Sequence, residues 1–183
     1  MRKTFQSRGN IELLSQRIVA VYGSREAPSV LEGDVALAAR NMAMEEMTVA
    51  GGWQSRLEKC FLSSFVRVGR GYLISYAARK LEDRALSPAM NRMLDEKRLL
   101  QVAPDVATIR PTVKTVARRD ALLLEQCHVV LFLYLAPGGQ LAMLFEYLLA
   151  KGFPVYVLDH AFNRTWLKQG GLPFHADDTA TLL

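Results

Sequence analysis

Short apolar runs that alternate with helical stretches constrain the fold of this chain more than any other feature of its sequence. The strongest run is 128–133, and similar runs lie at 17–22 and 154–158. Between them lie stretches with apolar residues at helical spacing, such as 111–126 and 141–151. This alternation is typical of βαβ units, in which helices cover both faces of a parallel sheet. The sequence therefore predicts an α/β fold with a doubly wound, mostly parallel, Rossmann-like sheet.

The length and composition predict one domain. The chain has 183 residues, and half of them are apolar, which is enough for one core of ordinary size. We expect residues 1–16 to form a polar N-terminal leader with a short helical stretch, and residues 17–183 to form a single Rossmann-like domain. The apolar segment 129–150 is long enough to cross a bilayer, but Pro137 and the two glycines after it interrupt it. We therefore expect a cytoplasmic protein without a membrane span, since no signal segment is recognisable either.

Positive charge is concentrated in the middle of the chain. Residues 51–119 carry fourteen basic and six acidic side chains, a net charge of +8. Residues 1–50 have a net charge of zero, and residues 120–183 have a net charge of −3. Sixteen of the 23 basic residues are arginine, whose planar fork suits phosphate. The excess is either a solvated basic face or the surface that meets a polyanion, such as nucleic acid or a nucleotide.

Glycine-containing turns follow three of the predicted strands, and we expect them to meet at one edge of the sheet. The first, Gly23-Ser24-Arg25, is either a phosphate cradle or an ordinary turn with a surface arginine. The second, Gly51-Gly52, also precedes a helix and is either a turn that a ligand approaches closely or a tight connection that needs a positive φ. The third, Pro137-Gly138-Gly139, leads directly into a helix whose first N–H groups are unpaired. Ligands in open parallel sheets bind at the carboxyl ends of the strands, where these turns lie.

A pair of arginines precedes the strongest strand. Arg118 and Arg119 either belong to the same cradle or face solvent, and Asp120 is placed to orient an arginine rather than to act as a base. The predicted phosphate-binding or nucleic-acid-binding residues are Gly23, Ser24, Arg25, Gly51, Gly52, Arg118, Arg119, Gly138 and Gly139. Helix starts are predicted at Ser87-Pro88 and at Ser29, where Glu32 three residues on suggests a capping box.

Signals for catalysis and cofactors are weak. The sequence contains neither the G-x-G-x-x-G pattern of dinucleotide-binding proteins nor a P-loop, so we expect no cofactor. Its two cysteines and three histidines lack metal-ligand spacing, so we expect no metal site. We interpret Cys127 and His128 as core residues. Glu146, in an apolar helix, is the one weak catalytic candidate, and we expect it at the solvent edge of that helix.

The turns and the arginine pair together resemble the DprA/Smf DNA-processing family. The order Gly23-Ser24-Arg25, Gly51-Gly52 and Arg118-Arg119-Asp120 before a hydrophobic strand carries the resemblance, which covers about residues 17–183. The stretches 87–100 and 163–178 are also similar to that family. The resemblance implies a Rossmann-like domain that grips the phosphates of single-stranded DNA in DNA processing or recombination, a recombinase partner and a homodimer. We expect binding rather than catalysis.

An alternative is implied by the LOG phosphoribohydrolases, which share the superfamily. Pro137-Gly138-Gly139 begins like the motif of that family, and Glu125 follows Arg119 by six residues, as in that family. Glu146 falls later than the catalytic acid of those enzymes, so a general acid is not in place. The alternative functions are a nucleoside monophosphate phosphoribohydrolase and a nucleotide-sensing module without chemistry.

Overall fold

The computed structural model of the protein describes residues 5–81, 86–105 and 110–182. Within these ranges the strands are β1 (Phe5–Gly9), β2 (Ile18–Gly23), β3 (Thr48–Gly51), β4 (Tyr72–Tyr76), β5 (Leu99–Pro104), β6 (Val129–Tyr134), β7 (Val155–Leu158) and β8 (Leu172–Phe174). The helices are α1 (Glu32–Met44), α2 (Arg56–Val68), α3 (Pro88–Asp95), α4 (Val113–Gln126), α5 (Gln140–Ala150) and α6 (Arg164–Lys168). Short 3-10 helices lie at Ile11–Ser15, Ser29–Leu31, Ala161–Asn163 and Ala180–Leu182.

The strands form one sheet in the order β1-β5-β4-β3-β2-β6-β7-β8. Neighbouring strands are parallel except β1 and β5, which run antiparallel. From β2 the chain winds through β3, β4 and β5 to one side, and β6, β7 and β8 extend the sheet on the other side. The order reverses between β2 and β6, so the crevice above their carboxyl ends is the topological switch point. The predicted doubly wound, mostly parallel sheet is confirmed.

Apolar side chains cover both faces of the sheet, as parallel strands require. In the central strand β2, Val19 and Val21 pack on the face that α1, α2 and α3 cover. Ile18, Ala20 and Tyr22 point to the opposite face, which α4 and α5 cover. Every residue of β2 is buried. The turn that follows this strand therefore starts from a fixed position in the core.

The N-terminal segment differs from the expected leader. Residues 5–9 form β1, which pairs with β5 so that Phe5 lies opposite Pro104 and Gly9 lies opposite Leu100. The helical stretch expected in this region is the 3-10 helix at 11–15. An edge strand has neighbours on one side only and tolerates polar residues, so it lacks the apolar run that marks a buried strand.

The predicted helix starts have mixed outcomes. The Ser87 side chain accepts a hydrogen bond from the Met90 N–H, with Pro88 at the first helical position, as the sequence predicts. The capping box at Ser29 is wrong, because residues 29–31 form a 3-10 helix and α1 begins only at Glu32, without a side-chain cap. Among the described residues, no helix is both long enough and apolar enough to cross a membrane.

Candidate functional site

The three glycine-containing turns meet at one edge of the sheet. The turns follow β2, β3 and β6, which are adjacent and parallel, with β2 in the middle. We call the turns at 23–25, 51–53 and 135–139 the switch-point edge. The structure therefore confirms that Gly23, Gly52 and Gly138 lie at the same end of the sheet.

Ser24 joins the first and third turns. Its N–H donates to the Tyr134 carbonyl oxygen at 2.9 Å, and its Oγ accepts from the Ala136 N–H at 2.9 Å. The residue is 8% exposed. Its hydroxyl hydrogen is still a donor, but its oxygen and its backbone N–H already hold the two loops together.

A buried carboxylate joins the first and second turns. Glu58, in the first turn of α2, accepts at Oε1 from the Gly23 N–H at 3.1 Å. Its Oε2 accepts from the Gln54 N–H at 2.6 Å and from the Ser55 N–H at 3.1 Å. Burial raises the pKa of this carboxyl, while the three N–H groups and the charge of Arg119 act to lower it. Glu58 is not among the residues predicted from the sequence, although Ser55 three residues earlier is the signal of a capping box.

Two side chains of the protein, Trp53 and Arg119, pack closely against the second turn. A Cβ on Gly51 would lie 3.1 Å from the ring of Trp53, which is 6% exposed. A Cβ on Gly52 would lie 2.7 Å from Nη1 and 2.9 Å from Cζ of Arg119. The close approach predicted at these glycines is made by Trp53 and Arg119, and contact between this turn and a phosphate stays a prediction.

Arg119 is fixed at the centre of the switch-point edge. Its Nε and Nη2 donate to Oδ1 of Asp120 at 2.9 and 2.7 Å, and the residue is 8% exposed. Burial raises the pKa of Asp120, and the charge of Arg119 counters this shift. Asp120 thus orients an arginine, as its position in the sequence indicates. Nη1 lies over Gly52, outside this ion pair.

Tyr22 adds a buried phenol hydroxyl on which the charge of Arg119 acts. The residue is 4% exposed, and within the described part of the chain its hydroxyl has no hydrogen-bond partner. Burial raises the pKa of Tyr22 well above its ordinary value, and the charge of Asp120 raises it further. The hydroxyl is therefore a neutral donor close to Asp120 and Arg119. No local pattern indicates this role, since in the sequence Tyr22 is one more residue of an apolar run.

The third turn is the most open of the three. Gly138 has a φ of +70°, a conformation that favours glycine, and a Cβ there would meet no atom within 4 Å. Gly139 is the N-cap of α5 and supplies no side-chain cap to the first-turn N–H groups. Such a helix start is favourable for an anion.

The remaining predicted side chains lie on the outside. Arg25 and Arg118 are exposed. Glu146 is exposed on α5, as expected, and is not in the turn at 135–139. Cys127 is buried, whereas His128 is exposed and accepts a hydrogen bond from the Ile18 N–H at its Nδ1, so the core assignment of His128 is wrong. No group of three metal-ligating side chains lies together in the described ranges.

The fold and this edge define a Rossmann-like α/β protein with a buried arginine and a free helix start at its topological switch point. No family model and no curated protein matches the sequence. Solved structures match it over nearly the whole chain. One of them is DNA processing protein A (DprA) from Helicobacter pylori, in a structure reported for its single-stranded DNA binding mode. It has a TM-score of 0.74 and 16% sequence identity to this chain, and the match covers 95% of this chain and 83% of that chain.

Two further structures extend the comparison. DprA from Streptococcus pneumoniae has a TM-score of 0.73 and 16% identity, covering 94% of this chain. The present chain spans only 63% of the pneumococcal protein. The molybdenum cofactor carrier protein from Chlamydomonas reinhardtii has a TM-score of 0.58 and 14% identity, covering 91% of this chain and 94% of that chain. The fold is therefore the Rossmann-like fold found in both kinds of protein, as the resemblance to the DprA/Smf family implies.

Proposed function

We propose that this protein binds single-stranded DNA through its phosphate backbone at the switch-point edge. The observation that carries the proposal is Arg119, which is buried over Gly52 and held by Asp120, with Nη1 outside the ion pair. An arginine fixed in this way is preorganised for phosphate and loses little side-chain freedom on binding. The structural similarity to H. pylori DprA supports DNA as the ligand.

The surroundings of Arg119 suit an extended polyanion. Arg118, on the exposed side of α4, and Arg25, in the first turn, flank the same edge. The start of α5, just after Gly139, offers backbone N–H groups and the positive end of a helix dipole. Gly23, Ser24, Gly51 and Gly52 shape the edge, and their direct contact with phosphate stays a prediction. A recombinase partner, a homodimer and a cytoplasmic location are predictions that accompany this proposal.

A small phosphate-bearing ligand is the second candidate. The similarity to the molybdenum cofactor carrier, which extends over 94% of that chain, supports this candidate. Nucleoside monophosphate hydrolysis is disfavoured in either case. Glu146 lies about 10 Å along the axis of α5 from its start at Gly139, on the exposed face. We therefore expect no release of free base from AMP.

The salt dependence of oligonucleotide binding tests the proposal. We expect the affinity for fluorescent oligo-dT, measured by anisotropy, to fall with salt with a log–log slope of about −0.7 per phosphate contact. Arg119→Ala should weaken binding at low salt by about tenfold and flatten the slope by about 0.7. Arg25→Ala should flatten the slope in the same way.

Arg70→Ala is the matched control. Arg70 is paired with Glu46 and precedes β4, so it lies at the opposite end of the sheet, and its loss changes the net charge equally. This variant should retain the wild-type slope. Wild-type protein that binds AMP but no oligonucleotide at low salt would favour the second candidate, and equal slopes for Arg70→Ala and Arg119→Ala would remove Arg119 from the site.

A further inference from the structure

A groove of about 400 Å³ lies between α2 and α3, on the face of the sheet that these helices cover. The apolar residues that line it are Leu62 and Val66 of α2 and Ala89 and Met90 of α3. Leu62 and Val66 are four residues apart, so they lie on the same side of their helix. The described residues that line the groove include none from the switch-point edge, so the groove is a second, separate surface.

The apolar lining of the groove rests on the core. Leu62, Val66 and Met90 are half-buried and pack against the core cluster beneath α2 and α3. Ala89 is exposed. A groove of this kind between two helices matches the shape of a third helix that lays its apolar face into it.

Two basic side chains border the groove and are free to pair with a partner. Lys59 and Arg67 are exposed and lie about 12 Å apart along the axis of α2. Within the described ranges neither of them forms an ion pair, whereas Arg56, at the start of α2, and Arg70, just beyond its end, each pair with a glutamate of the chain. No described acidic residue lines the groove. The charge of its border is therefore complementary to carboxylates from outside the chain.

We propose that the groove between α2 and α3 is a docking site for an acidic amphipathic helix of a partner protein. In a helix that fits, residues at helical spacing cover the apolar lining, and two carboxylates about two turns apart reach Lys59 and Arg67. Nucleic acid also carries negative charge, but its phosphates would leave the apolar lining without a partner. The proposal concerns a second surface and does not depend on DNA binding at the switch-point edge.

Peptide selection on the whole protein tests the proposal. Random peptides of about 16 residues, enough for about four helical turns, are displayed on phage and selected for binding. We expect the selected peptides to carry apolar residues at helical spacing between two Asp or Glu residues. The affinity of fluorescent synthetic copies, measured by anisotropy, should fall by at least about tenfold in Arg67→Glu, because like charges then meet at the border of the groove.

Arg164→Glu is the control for the charge reversal. Arg164 is exposed on α6, whose Trp166 packs on the opposite face of the sheet, and the same charge is reversed. This variant should bind the selected peptides as tightly as the wild type. Because Arg67 and Arg164 are both exposed, we expect both variants to fold.

A second pair of variants tests the apolar lining. Val66→Asp places a charge inside the groove and should also reduce peptide affinity by at least about tenfold. Val113→Asp introduces the same charge at an exposed position on α4, on the opposite face, and should leave the affinity unchanged. If circular dichroism shows that Val66→Asp does not fold, Arg67→Glu alone decides.

Several results would overturn the inference. Selection that yields no binding peptide, or peptides without acidic residues, would show that the groove does not recognise an acidic helix, as would equal affinity for the wild type and Arg67→Glu. A wild-type dimer that dissociates in Arg67→Glu, seen by sedimentation, would assign the groove to a second copy of this chain. An oligo-dT affinity lower in Arg67→Glu than in Arg164→Glu would assign it to nucleic acid.

Discussion

Arg119 shows how a single side chain at this edge depends on residues that carry no positive charge. Gly52 leaves the space in which its guanidinium lies, and Asp120 fixes the direction of its fork. Tyr22, on which the charges of Asp120 and Arg119 act, adds a hydroxyl that has no partner in the described part of the chain. The position of the arginine is therefore sensitive to changes of one methyl group.

Gly52→Ala should impair binding while leaving the fold intact. The new Cβ would lie 2.7 Å from Nη1 of Arg119, so the guanidinium must move. Because the displaced atoms are the end of a flexible side chain, we expect the unfolding free energy to fall by about 1 kcal/mol or less. Oligo-dT affinity should fall by about tenfold, as expected when a charged hydrogen bond is lost. Urea denaturation and anisotropy measure the two effects.

Gly33→Ala is the control for this substitution. Gly33 lies in the first turn of α1, and a Cβ there would meet no atom within 4 Å. Alanine should raise the unfolding free energy by about 0.5–1 kcal/mol through helix propensity and leave oligo-dT binding unchanged. Undiminished affinity in Gly52→Ala would show that Arg119 does not need its present position to bind.

The site residues that could be predicted from the sequence carry a local signal, whereas the role of those that could not depends on distant parts of the chain. Arg119 and the glycines of the turns could be predicted because their residue types are informative wherever a strand ends. Glu58 could not be distinguished from an exposed helical glutamate, since its role depends on the Gly23 N–H, 35 residues away. Its capping-box partner Ser55 was a usable local signal, whereas the same pattern at Ser29 was misleading because a 3-10 helix precedes α1 there.

The helix α2 illustrates how an element supports the site. Trp53 stacks on Phe61 with ring centroids 6.1 Å apart, and Phe61 stacks on Phe65 at 6.0 Å. Trp53 has a φ of 56°, an unusual conformation for a large residue, and its ring covers Gly51. The aromatic stack of Trp53, Phe61 and Phe65 therefore ties the turn after β3 to the core face of α2.

Phe61→Ala should destabilise the protein strongly. Phe61 is fully buried between two rings, so its loss leaves a cavity and should cost about 3–5 kcal/mol of unfolding free energy. Ser63→Ala, on the exposed side of the same helix, should change stability by no more than about 0.5 kcal/mol. Thermal unfolding followed by circular dichroism compares the two. Similar melting temperatures would contradict the packing described for α2.

At the level of elements, the six parallel strands in the middle of the sheet could be predicted from their apolar runs. The edge strands could not. β1 is polar, and β8 spans only three residues, of which Leu172 and Pro173 are exposed. Pairing at an edge is decided by distant backbone partners rather than by a local pattern.

For the whole molecule, the buried carboxyl of Glu58 and the half-buried carboxyl of Asp120 shape the dependence of stability on pH. Burial raises the pKa of Glu58 and of Asp120 in the folded state. Groups of this kind bind protons more readily when the protein is folded. The stability that Glu58 and Asp120 contribute is fully present at pH values below their ordinary pKa values of 4.5 and 3.8. It is lost as the pH rises through their pKa values in the folded state.

Urea denaturation from about pH 4 to about pH 8 tests this linkage. The unfolding free energy of the wild type relative to Glu58→Gln should be greatest near pH 4.5 and should decline as the pH rises, because the amide of the variant does not titrate. A difference between wild type and Glu58→Gln that stays constant with pH would contradict the raised pKa of Glu58.

The antiparallel pairing of β1 with β5 has a consequence for how the chain is made. Phe5 leaves the ribosome almost a hundred residues before Pro104, the residue it lies opposite. β1 must therefore wait for β5, and closing so long a loop is slow. Until it closes, the outer side of β5 is an unpaired edge available to another nascent chain. The polar sequence of β1 suits this delay, since a segment that waits in water gains nothing from being apolar.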